Sequence, residues 1–162
     1  MRLIPLTRGK FAKVDDEDFE RVNQFRWQWG RARPETVEYA RRSIRINGIR
    51  KTQLMHRFIL GNDSPATDHV DGDGLNNQRS NLRPATRVEN GRNRKIQKHS
   101  APYKGVSFFK ATGKWQGRAS KLGNNVHLGF FPTPELAAAA YDAYAFTHYG
   151  QFAKTNQQIG VI

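Results

Sequence analysis

The hydrophobic pattern along this chain changes period several times, and each change marks an element. Phe19, Val22 and Phe25 recur at helical spacing behind the acidic run Asp15-Asp16-Glu17-Asp18, which predicts a helix that begins at the acids. From Tyr39 to Ile46 apolar and polar residues alternate, Asn47-Gly48 follows, and an extended run continues from Ile49 to Met55. Asn-Gly between two such runs predicts a β-hairpin. Further on, Asp68-His69 ends a short strand, and Gly72 and Gly74 with Asp71, Asp73, Asn76 and Asn77 form a wide loop. Leu82-Arg83 starts a return strand. Thr86 and Glu89 then fit a capping box, with Asn90 in the first turn of the helix that follows.

The C-terminal third repeats an antiparallel pattern. One strand starts within Tyr103–Ser107, a second runs from Lys114 to Lys121, and Gly123-Asn124-Asn125 marks a turn into a third over Val126–Leu128. Thr133-Pro134-Glu135 reads as N-cap, N1 proline and first-turn acid of a helix that stops at Gly150. Strand parity puts Val106, Phe108, Trp115, Gly117, Ala119, Val126 and Leu128 on one face, suited to a covering helix. Ser107, Phe109, Lys114, Gln116, Arg118, Ser120, Asn125 and His127 fall on the other. The fold class is therefore α+β. Residues 1–98 hold a β-rich part and the strand-loop-strand-helix unit, 99–102 a linker, and 103–156 a three-stranded antiparallel sheet packed on one helix.

Charge narrows the function. Lys plus Arg number 27 against 14 for Asp plus Glu, a net +13, and both regions share the excess. Such a balance points to a polyanion, most often nucleic acid, although a ribosomal-type or merely basic protein has it too. The arginines and lysine around the hairpin, Arg41, Arg42, Arg45, Arg50 and Lys51, read equally as a DNA-facing surface or a solvated sheet face. The absence of cysteine removes disulfides, thiolate zinc sites and thiol catalysis, and fits a reducing cytosol. The N-terminal apolar run is too short for a signal peptide, and no stretch reaches membrane-spanning length.

The chemistry concentrates in residues 67–93. Asp68 offers a carboxylate suited to Mg²⁺, and His69 an imidazole whose reference pKa lies near working pH. Asn81 can orient that imidazole by a hydrogen bond, and Asn90 can offer its side-chain oxygen to the same ion. Adjacent strand residues point to opposite faces, so Asp68 and His69 serve one phosphate only if the strand ends or twists there. Taken singly, an Asp-His pair or a loop asparagine is ordinary surface or turn chemistry. Together the four residue types at this spacing suit one-metal phosphodiester cleavage.

The stretch resembles the HNH (ββα-metal) endonucleases of the homing type. That resemblance implies that Asp68 and Asn90 hold one divalent metal, Mg²⁺ or Mn²⁺, that His69 activates water, and that Asn81 positions it. His56 occupies a matching place upstream, where packing is the simpler role. The resemblance further implies a monomer acting on double-stranded DNA in the cytoplasm of a bacterial or phage-infected cell, with nicking of one strand as a plausible outcome. The alternatives are a DNA-binding regulator with a relic nuclease motif and, more weakly, an RNA-binding protein.

Residues 103–156 resemble the AP2 DNA-binding domain of plant transcription factors in Tyr103-Lys104-Gly105-Val106, Gly113-Lys114-Trp115, His127-Leu128-Gly129-Phe130-Phe131 and the run from Glu135 to Asp142. The implied DNA-facing residues are Phe109, Lys114, Gln116, Arg118, Ser120, Asn125 and His127, with Lys104, Lys110 and Lys121 as phosphate contacts. Arg92, Arg94 and Lys95 extend that basic track. Several positions that carry Arg or Trp in the plant domains are Ser, Phe, Asn or His here, so no base preference is implied.

Overall fold

The computed structural model describes residues 1–32, 37–61, 66–93 and 102–161. They form two compact units, Met1–Arg87 and Val88–Ile162. No described helix is long and apolar enough to cross a membrane.

In the first unit, β1 (Arg2–Pro5) pairs antiparallel with β2 (Phe11–Val14), and α1 (Asp16–Asn23) follows with Asp15 at its N-cap. Strands β3 (Gln28–Ala32), β4 (Val37–Ile46) and β5 (Ile49–Leu54) make an antiparallel sheet in that order. Its β4–β5 turn has positive φ at both Asn47 and Gly48, the geometry that matches the twist of a two-residue hairpin. The expected extended run stops one residue early, because Met55 opens α2 (Met55–Leu60). Strands β6 (Ala66–His69) and β7 (Leu82–Ala85) form the second hairpin of the unit, and α3 (Arg87–Arg92) starts at the unit's last residue and otherwise belongs to the second unit. One core unites these pieces. Ile4, Val14, Val22, Trp27, Met55 and Ile59 bury together with Leu82 of β7.

The second unit is an antiparallel sheet of β8 (Val106–Phe109), β9 (Lys114–Lys121) and β10 (Asn124–Phe131), with β9 central. Helix α4 (Pro134–Tyr149) packs on it, with the Thr133 hydroxyl accepting from the Leu136 amide. Alanines at 137, 138 and 145 let helix and sheet approach closely, and Val106, Ala119 and the rings of Tyr141 and Tyr149 fill the rest. Gly105, at φ 75°, lies where a Cβ would stand 2.0 Å from the Tyr141 ring, so no larger residue fits.

Two details differ from the pattern. The β9–β10 turn is Leu122-Gly123, so Asn124 and Asn125 belong to a longer β10 that runs through Phe131. A short α5 (Asn156–Ile159) follows a capping box at Thr155. Its buried Asn156 accepts from the Lys104 amide at 2.7 Å and donates to Asp142 at 2.8 Å, tying the end of the chain to the start of the sheet.

Candidate functional site

Asp68 and His69 are the last two residues of β6, opposite Arg83 and Leu82 of β7. Both are buried. A turn closes at once, with the Gly72 amide donating to the His69 carbonyl, so the strand ends where two adjacent side chains need to serve one centre.

The loop from Val70 to Asn81 is built by its own polar side chains. Asp71 accepts from the Asp73 amide and from Asn76, and Asp73 accepts from the Leu75 amide. Asn81 spans the loop base: its oxygen accepts from the Asp71 amide at 3.0 Å, and its nitrogen donates to Asp71 and to the Asn76 carbonyl. The N-terminal part grips this loop on three sides. Lys13 of β2 exchanges backbone bonds with Leu75 and Asn77. Gly74 lies against β4 so closely that a Cβ would stand 2.2 Å from the Glu38 carbonyl oxygen. Arg79 reaches Asp18 at 2.7 Å, and Asp15 accepts from Gln78 and the Arg79 amide. The acids at the start of α1 therefore also anchor the loop. Burial raises the Asp18 pKa, but the bonds from Arg79 and Arg21 outweigh it and hold the carboxyl below 3.8.

His69 packs in an aromatic cluster. Its ring lies 5.0 Å from that of His56, edge to face, and 5.8 Å from that of Tyr39. Burial pushes its pKa below 6.5, opposed by the nearby Asn77 side chain and by the charges of Asp71, Asp68 and Asp73. A neutral imidazole can take a proton. His56, from α2, is lowered further, to about 3, by burial and then by His69 and Arg57. Asn77, almost fully buried, reads in the sequence as one more turn-forming asparagine; only the fold brings it to the imidazole.

Arg83 sits on Asp68. Its Nε and a terminal nitrogen lie 2.8 and 2.6 Å from the same carboxylate oxygen. Asp68 and the amide oxygen of Asn90 are hard oxygen donors that suit Mg²⁺ or Mn²⁺. Among the described residues no group of three or more His, Cys, Asp or Glu is placed to hold a metal. Asp68, His69 and Asn81 belong to the first unit, whereas Asn90, on α3, falls in the second.

In the second unit, Phe109, Lys110, Lys114, Arg118, Lys121, Asn125 and His127 are exposed, and Ser120 is half-buried. Gln116 is buried, and its oxygen accepts from Arg118 Nε at 2.7 Å, which fixes that guanidinium. Lys104 turns inward. Its ammonium donates to the carbonyls of Arg92 and Lys154, and burial followed by the charge of Lys154 lowers its pKa to about 8. Arg92 stacks over the Tyr149 ring at 4.4 Å. Arg94, Lys95 and residues 99–101 of the expected linker lie outside the described residues. Parity also missed Phe130. A bulge between His127 and Gly129 reverses the alternation, pairing Phe130 with Gln116 on the outer face and sending Phe131 inward.

Over 157 residues the chain is 31% identical to the uncharacterized HNH endonuclease L560 of Acanthamoeba polyphaga mimivirus, covering 93% of this chain and 76% of that protein. It is 34% identical over 88 residues to protein 3.8 of Escherichia phage T7, covering 54% of this chain and 72% of that one. A stretch of 61 residues, 38% of the chain, is 41% identical to the AP2-like ethylene-responsive transcription factor TOE2 of Arabidopsis thaliana, of which it spans only 13%. No family model and no solved structure matches the chain.

Proposed function

The chain belongs to the HNH endonuclease family, and from that premise we propose that it is a metal-dependent DNA endonuclease of the homing type whose C-terminal sheet holds the duplex. The observation that carries this reading is the pairing of Asp68 and His69 at a strand end, above a loop that the N-terminal part braces. As functional parts we propose 1–98 for cleavage, 99–102 as linker, and 103–156 for binding.

His69 is the base. Kept neutral by burial, it accepts the proton of the attacking water. The ring of His56 holds the imidazole in place by packing against it, and Asn81 acts one step back by fixing the loop. Asp68 and Asn90 would hold the divalent ion, Mg²⁺ or Mn²⁺. When bound, that ion supplies charge stabilisation at the scissile phosphate and the leaving 3′ oxygen. Lys110, Lys114, Arg118 and Lys121, with Asn125, His127 and Phe109, form the DNA-facing surface, while Gln116 positions Arg118. Lys104 and Arg92 serve the module from inside.

One observation favours a second reading, a DNA-binding regulator without cleavage: the carboxylate of Asp68 is already neutralised by Arg83. Nicking of supercoiled DNA with Mg²⁺ or Mn²⁺ separates the two. The nuclease reading expects metal-dependent breaks that vanish in His69→Ala. DNA binding without breaks, on any DNA and with either metal, would favour the regulator.

A further inference from the structure

The outer face of the second sheet carries an aromatic group amid its charges. Phe109 ends β8, and Phe130 comes to the same face through the bulge after His127. Their ring centroids are 5.2 Å apart, and His127 lies 4.8 Å from Phe130. Both phenyl rings are exposed, 39% for Phe109 and 42% for Phe130. Lys114 pairs across the strands with Phe109, Arg118 with His127, and buried Gln116 with Phe130.

We propose that Phe109 and Phe130 form an apolar reader that seats the 5-methyl groups of thymine in the major groove of duplex DNA. This rests on the DNA-holding role proposed above for the sheet. The charge around the rings selects a polyanion, and Lys114 and Arg118 bring it to this face. Exposed apolar area of this kind calls for an apolar partner. On the base edges of a duplex major groove, the thymine methyl is that partner, and phenylalanine is among the side chains suited to it. The two rings pack against each other with planes tilted by 41°, so they offer a joint rim rather than an open slot for an unpaired base. Gln116 is buried beneath the face and already bonded to Arg118, which leaves the rings as its outermost apolar groups.

The test uses the full chain in EDTA, fluorescence anisotropy, and two alternating A·T duplexes that differ only in deoxyuridine for thymidine. Loss of the methyl groups should weaken wild-type binding about fourfold for each methyl buried. The double variant Phe109→Ala/Phe130→Ala should bind both duplexes equally, so that the preference for the thymine duplex disappears whatever its overall affinity. Phe130→Leu, which keeps apolar surface, should retain part of the difference. All variants sit at exposed rings, and an unchanged melting midpoint verifies their folding. Equal wild-type affinity for both duplexes overturns the methyl reader. So does a difference that persists in the double variant, which would trace to DNA shape, or tighter binding of the single strand, which would make the rings a stacking platform. Absence of salt-sensitive binding to either duplex would instead remove the underlying DNA-holding reading.

Discussion

Arg83 and Asp68 are cross-strand partners, and both nitrogens of the guanidinium that reach the carboxylate converge on one oxygen. The pair is sheltered, with side chains 14% and 3% exposed. A carboxylate so placed has its charge balanced before any ion arrives, so a bound cation must share it with Arg83. Removing one partner of a buried pair typically costs about 3–5 kcal/mol, since the other charge stays desolvated. We expect Arg83→Gln to lose stability of that order without metal and to regain part of it with Mn²⁺. Its metal-induced rise in melting midpoint should exceed that of wild type, and Asp68→Asn should show none. Equal rises in wild type and Arg83→Gln would mean that Arg83 does not compete for the carboxylate.

His56 makes the fold acid-sensitive. Its pKa falls from 6.5 to about 3 on folding, so the native state binds fewer protons than the unfolded one between those values. The neutral ring's stabilisation is therefore complete above pH 6.5 and is lost as pH falls toward 3. The slope is on the order of 1.4 kcal/mol per pH unit for each such group. His69, shifted in the same direction, adds to it. Urea midpoints measured from pH 7 to 4 should fall steeply for wild type and less steeply for His56→Phe. Parallel slopes would show that His56 is not the group that titrates.

Much of this was legible because it is local. The Asn47-Gly48 hairpin, the strand end at His69, the Pro134 helix start and its Gly150 stop all depend on neighbouring residues. Alternation also sorted both faces of the second sheet up to the bulge before Gly129, where one extra residue reverses parity and hides Phe130. The Thr155–Gln158 capping box follows the same local rule that marks Thr86 in the sequence. The rest depends on contacts that spacing does not encode. Arg83 meets Asp68 across 15 residues of chain and Arg79 meets Asp18 across 61, and many pairings of basic and acidic residues were open. Asn77 differs from its neighbour Asn76 only in where the fold buries it.

The Arg79–Asp18 contact should be worth measuring for the same reason. Arg79→Ala leaves Asp18 with Arg21 as a partner at 2.6 Å, so the loss should be about 1–3 kcal/mol at neutral pH rather than that of a stranded charge. The folded Asp18 carboxyl lies below 3.8, so this contribution is present above 3.8 and disappears as pH falls through the lower, folded value. Wild type and variant should thus differ in urea stability at pH 7 and converge at strongly acid pH. A gap that persists in acid would assign the effect to packing of the Arg79 stem instead of charge.

Gly105 and Gly74 test whether the two cores fail separately. At Gly105 a side chain meets both a φ of 75° and the ring of Tyr141, a residue of the second unit's core. At Gly74 it meets the Glu38 carbonyl and the Tyr39 ring, in the first unit. Neither the Glu38 backbone nor the buried Tyr141 ring can move aside as a flexible surface side chain can, so each substitution should cost at least about 2–3 kcal/mol in its own unit. Hydrogen exchange read by mass spectrometry distinguishes the sites of failure. Gly105→Val should speed exchange over β8, β9 and α4 and leave β1, β2 and α1 protected. Gly74→Val should do the reverse, starting with the loop amides of Asp71 and Leu75. If either variant loosened both sets together, the two units would have to unfold as one cooperative body, and damage to the sheet would reach the Asp68–His69 strand without any residue there being changed.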